Sequence, residues 1–120
     1  AREYSGFDTL DVTNSATGSS ALPNSGTVTT TKASELLIVS TGDDKGATQT
    51  FFAAGAYSDM VGTTATLTDI SMEDGTVGAT GAQTGTLVLG AAANWVSTFA
   101  SFYKASSPGV FKTLTGAGNI

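Results

Sequence analysis

Asn94-Trp95-Val96-Ser97-Thr98-Phe99-Ala100-Ser101-Phe102-Tyr103-Lys104 is the stretch that decides the fold. Read with a period of two, it puts Trp95, Phe99 and Tyr103 on one face with Ser97 and Ser101. Val96, Ala100 and Phe102 then fall on the other. Alanines at its start argue for a helix over Ala91–Phe102 instead. The Ser, Thr, Val and Trp content decides against it, because β-branched and aromatic side chains lose rotamers in a helix and fit a pleated surface.

Working outward, Glu35–Thr41 (ELLIVST) is a nearly continuous apolar run and reads as a central strand buried on both faces. Thr86–Leu89 reads as the partner of Asn94–Lys104 in a last core pair. Thr48–Ala54 carries Phe51 and Phe52 and is broken by Gly55. Thr63–Met72 alternates Thr64, Thr66 and Thr68 with Ala65 and Leu67. Thr27–Thr31 is a short strand, and Arg2–Phe7 is the first. Turns are expected at Leu22–Gly26, at Asp43–Gly46 as a hairpin, and at Glu73-Asp74-Gly75. Asn14–Ser20 reads as a polar loop and Thr76–Gln83 as an edge strand or loop. Pro108-Gly109 sets Val110–Leu114 apart from the rest. The chain is therefore expected to be all-β, an antiparallel β-sandwich of about seven or eight strands with immunoglobulin-like or jelly-roll connections. Residues 1–107 form the sandwich and 108–120 a C-terminal strand or tail.

Composition limits what such a domain does. At 120 residues the chain fits one domain with a real core, and its 40% apolar content sets it apart from disordered chains. Charged residues are only 12%, roughly half the usual share, and Thr, Ser and Gly take their place. The net charge is −5, and the five cations, Arg2, Lys32, Lys45, Lys104 and Lys112, are scattered. No basic stripe exists to neutralise phosphates, so neither nucleic acid nor an anionic membrane is an expected partner. No segment approaches the roughly 20 apolar residues of a membrane span. Arg2 and Glu3 open a strand-like run rather than an apolar leader, so an exported protein would be present here as a processed form or an excised piece.

With no His and no Cys, the common triads, Cys–His pairs and usual zinc sites cannot be built, and no enzymatic activity is expected. Calcium is the one cofactor for which ligands are visible: Asp43, Asp44, Asp69, Glu73 and Asp74, on or near Gly-containing turns. No D-x-D-x-D-G loop joins them, and turn carboxylates ordinarily cap or solvate loops, so none is expected to bind. A glycan platform needs exposed planar rings; Tyr57, in a Gly-flanked loop, and Trp95 are the candidates, with Trp95 better suited to the core. Lys32 or Lys104 with Asn94 and Glu35 could supply the parts of an intramolecular Lys–Asn isopeptide bond.

Glu3-Tyr4-Ser5-Gly6, the pair Gly26–Thr31 and Glu35–Val39, and Asn94-Trp95-Val96 with Phe99 together resemble a family of secreted bacterial β-sandwich modules found in large surface proteins. The resemblance spans Glu3–Phe99 and implies an extracellular or cell-surface location. It also implies strands ahead of Glu3, which a strand from a neighbouring subunit could replace. The expectation is thus a structural or adhesive protein, homo-oligomeric or polymeric, joined by strand pairing at Tyr4, Phe7, Val110, Phe111 and Leu114. The alternative is a carbohydrate-binding module.

Overall fold

The computed structural model describes residues 3–45, 49–55, 57–64 and 68–105. Among them no helix forms, and eight strands run in chain order: β1 (Thr9–Ser20), β2 (Asn24–Thr29), β3 (Glu35–Asp43), β4 (Phe51–Ala53), β5 (Ser58–Thr64), β6 (Asp69–Val77), β7 (Ala82–Leu89) and β8 (Ala93–Tyr103). They make two antiparallel sheets, one of five strands in the order β1-β8-β3-β6-β5 and one of three in the order β2-β7-β4. The protein is an antiparallel β-sandwich.

β8 follows its sequence pattern: Trp95, Ser97, Phe99 and Ser101 are buried between the sheets, while Asn94, Val96 and Thr98 face out. β3 lies in the middle of the large sheet, pairing with β8 on one side and β6 on the other. Its inward positions Glu35, Leu37, Val39, Thr41 and Asp43 are buried; outward, Leu36 is covered but Ile38 and Ser40 are only half-buried. Burial is therefore one-sided for most of its length.

The core has two centres. Leu37, Val39, Tyr57 and Phe99 meet at one, joined by Val12, Val28 and Val77. Leu87, Leu89, Ala93 and Trp95 meet at the other, joined by Ala16, Ala21 and Phe51. Each large side chain buried here contributes about 1.5–3 kcal/mol. The sheets approach closely at Gly85 on β7, where an added Cβ would stand 2.9 Å from a Val39 methyl carbon.

Several sequence expectations are corrected. Residues 3–8 form no strand; they run over the outer face of the large sheet, where the Tyr4 hydroxyl donates to the Asp74 carboxylate. The supposed polar loop Asn14–Ser20 is the second half of β1, paired residue by residue with β8. Its signal is missing because the positions facing the core are small. Gly18 lies under the Trp95 ring, where a Cβ would overlap the indole, and Ala16 is beside it.

Glu73-Asp74-Gly75 is no turn but the interior of β6, and the single strand expected over Thr63–Met72 is divided between β5 and β6, which pair with each other. Asp43 ends β3 rather than opening a hairpin, since the following strand β4 belongs to the other sheet. Thr76–Gln83 is also divided, its ends completing β6 and opening β7. β7 and β8 are not a hydrogen-bonded pair; they belong to opposite sheets. Val110–Leu114 lies outside the described residues.

Candidate functional site

The most distinctive surface is the outer face of the five-stranded sheet. The register places Thr13, Ser15 and Thr17 of β1 beside Ala100, Thr98 and Val96 of β8. Ile38, Ser40 and Gly42 of β3 follow, and then Asp74, Met72 and Ile70 of β6. Ile70 is 55% exposed and Val96 47%, with Met72 and Leu10 also open to solvent. Of the outward positions on these four strands, Asp74 alone carries a charge, and it is buried under Tyr4.

The segment before β1 roofs one end of this face. Tyr4 and Phe7 line a depression of about 230 Å³ with Leu36, Ile38 and Phe102. Asp8 ties the segment down: its amide donates to the Tyr103 carbonyl at 3.0 Å, and its carboxylate accepts from the Ala105 amide at 3.0 Å and meets Lys104 Nζ at 3.5 Å. Beyond the roof the face stays open. One depression of about 510 Å³ lies among Thr13, Ser15, Ile38, Ser40, Thr98 and Ala100. Another of about 490 Å³, at the far end, joins Ile70 and Val96 to an acidic rim of Asp43, Asp44 and Asp69.

A second feature was missed in sequence: carboxylates inside the sandwich. Glu73 points inward from β6, is 1% exposed, and neither of its carboxyl oxygens makes a well-formed hydrogen bond. Burial pushes its pKa up to about 7, and the Ala54 amide offsets only part of that. Tyr57, in the same core, is raised by its own burial and by the Glu73 charge. At one end of β3, burial raises Glu35, and the neighbouring Asp11 carboxylate adds to the effect. Glu35 accepts the Lys32 amide at 3.2 Å, while Asp11 accepts the Thr31 amide at 2.6 Å. At the other end Asp43 and Asp69 are register partners, and Asp43 is raised by burial and by the Asp69 charge.

The calcium candidates are therefore dispersed. Asp43 and Asp69 meet; Asp44 is exposed and takes both the backbone and side-chain N–H groups of Asn94, at 3.0 and 2.8 Å. Glu73 and Asp74 are adjacent on β6 and so face opposite sides of the sheet. Among the described residues no group of three acids is placed to hold a metal ion.

The two glycan candidates are both interior. Tyr57, expected to be exposed, is 7% exposed, and its hydroxyl donates to the Thr84 carbonyl at 2.9 Å. A phenol anchored in the core needs such an acceptor, and a short Gly-flanked segment gave no hint that one would be near. Trp95 is buried as its strand pattern suggested, its indole N–H donating to Ser20 Oγ at 3.1 Å.

The interface candidates Tyr4 and Phe7 are half-buried on their own sheet; Val110, Phe111 and Leu114 lie outside the described residues. The isopeptide parts stay apart. Lys32 stands over the Tyr103 ring at 5.4 Å and Lys104 is beside Asp8, both at the end of β8 opposite Asn94. Ten residues of extended chain from Asn94 to Lys104 span about 33 Å.

A β-sandwich whose large sheet exposes apolar and hydroxyl side chains on its outer face defines the class. Compared with known proteins, the chain matches no family model, no curated protein and no solved structure.

Proposed function

We propose that this chain is an extracellular structural domain, with no reaction of its own, that joins further copies of itself into a fibre, surface array or adhesive layer. The observation that carries the reading is the open middle of the outer face on β1, β8, β3 and β6, where the solvent-facing side chains are apolar or hydroxylic. A chain of net charge −5 repels its copies over most of its surface. Two outer faces can meet with Val96, Ile70, Met72 and Ile38 opposed and no ion to desolvate. The hydroxyl-rich, charge-poor composition and the resemblance to bacterial surface modules support the location.

The available area also suits an assembly. Four strands about 4.8 Å apart, open over some seven residues at about 3.4 Å each, give a flat footprint of about 450 Å². Stable pairs bury about 800 Å² per partner, so one such contact is weak and reversible. Strength would come from several contacts in series, and strand pairing through Val110–Leu114 would supply a second kind.

Sedimentation velocity over a rising concentration series tests this. The expected result is reversible association that Val96→Asp weakens by roughly tenfold or more, because a carboxylate would then face an apolar partner surface. Val96 is exposed, so the fold is retained. A strictly monomeric protein, or association unchanged in Val96→Asp, overturns the reading.

A further inference from the structure

β6 has its polarity inverted. Its apolar side chains Ile70 and Met72 point to solvent, while Asp69, Ser71 and Glu73 point into the sandwich. Because successive residues alternate between faces, a slip of one residue would bury the apolar set and release the acids. The strand is therefore held the wrong way out by its pairing with β3, which runs unbroken from Glu35–Val77 to Asp43–Asp69. β5, at the edge of the sheet, pairs with β6 and, among the described residues, with no other strand, so its place in the sheet depends on β6.

We propose that β6 is a pH-sensitive latch: the sandwich closes fully with a proton on the Glu73 carboxyl, and ionisation of that group loosens β6 together with β5. The device is independent of how copies associate.

The surroundings of Glu73 are what make the proton matter. Val39 of β3 is its register partner, with Leu37 and Thr41 on the same inward face. Phe99 of β8 and Tyr57 complete the core against Val39. Of these only Tyr57 titrates, and it is neutral over the relevant range. The described cations Lys32, Lys45 and Lys104 are all on the surface and give Glu73 no counter-charge. A carboxylate there would have no counter-ion among the described residues and only the Ala54 amide to offset its burial, a state that a buried acid avoids by keeping its proton.

The sign follows. Glu73 binds its proton more tightly folded, at about 7, than in the ordinary range near 4.5. Its stabilisation is complete below the unfolded value and lost as pH rises through the folded one. Glu35, facing Asp11, and Asp43, facing Asp69, are shifted in the same direction.

Three groups oppose them. Asp8 is lowered by the Ala105 amide, the Thr9 hydroxyl and Lys104, and Asp44 by Asn94. For Asp11, burial pulls upward but the Thr31 hydrogen bonds outweigh it. Their effects are complete above the ordinary carboxylate range, so beyond it the raised acids set the sign, and Glu73, at about 7, carries the loss into neutral pH.

Chemical denaturation at a series of pH values tests the latch, with hydrogen exchange locating the opening. The wild-type folding constant should fall on the order of 100-fold from about pH 4.5 to about pH 8. Corrected exchange should rise first in β6 and β5 and last in β8. Glu73→Gln should flatten most of the slope, whereas Glu3→Gln, which removes the same charge from the surface, should leave it. If Glu73→Gln does not fold, Glu73→Met serves: an apolar side chain of similar length should make the protein more stable than wild type at pH 8 and much less sensitive to pH. Constant or rising wild-type stability over the interval overturns the latch. So does an undiminished slope in the Glu73 variants, or exchange that rises equally in β8.

Discussion

β8 and β6 flank the same strand, β3, in the same sheet, yet they are built on opposite plans. β8 sends Trp95 and Phe99 inward and leaves Val96 and Thr98 outside. β6 sends Asp69 and Glu73 inward and leaves Ile70 and Met72 outside. The first strand is held by what its own side chains bury. The second is held by its neighbour's hydrogen bonds, with its side chains working against it. Regular backbone pairing is thus compatible with a side-chain pattern that alone would select another register, provided the opposing terms are small enough or a proton removes them.

The sharpest way to break that comparison is to remove the best-buried anchor of β8. Phe99 is central to one half of the core, and Phe99→Ala should cost about 3–5 kcal/mol, enough to unfold a domain of marginal stability. Urea denaturation at pH 5, where the latch is closed, is the measurement. A loss under 1 kcal/mol would mean that β8 is no better anchored than β6.

A smaller effect is expected where β8 meets β1. A side chain at Gly18 would collide with the Trp95 ring, so Gly18→Ala should cost about 1–3 kcal/mol through displacement of the indole. Trp95 should lose its hydrogen bond to Ser20 in the process, and its emission should move to longer wavelength. An unchanged spectrum with unchanged stability would show that β1 yields instead, and that the β1–β8 contact is softer than the β3–β8 contact.

Legibility followed the same division. β8 was readable because Trp95 and Phe99 recur on one face, so period two shows in the letters, while β3 and β7 were readable from the short apolar runs Leu36–Val39 and Leu87–Leu89. The second half of β1 was not, because Trp95 supplies the bulk for both strands and leaves room only for Ala16 and Gly18 opposite. β6 was misread because Glu73-Asp74-Gly75 has the composition of a turn. A turn also costs little to expose, whereas two adjacent carboxyls in a strand must send one inward. Nothing local marks that choice; it is made by the nine-residue register with β3.

The candidate surface was hidden for a related reason. Ile70 and Met72 look like core residues, and Tyr57 looks like a loop aromatic. Only the sheet's two-sidedness reveals which of them meets solvent.

The smallest predicted effect is the most discriminating. Ile70 is apolar and lies in the interior of a strand, so sequence logic ranks Ile70→Thr with core damage. The structure ranks it with surface changes: the side chain is mostly exposed, Thr keeps the β-branch, and the monomer should change by no more than about 0.5 kcal/mol. In dilute solution, denaturation midpoints of the two proteins should coincide. At high concentration they should separate, because the wild type gains stability from face-to-face contact and the variant gains less. A large loss in the dilute monomer would mean that β6 is turned the other way, with Ile70 inside and Glu73 in water. The same result would remove both the open apolar face and the latch, since each follows from the inversion of that one strand.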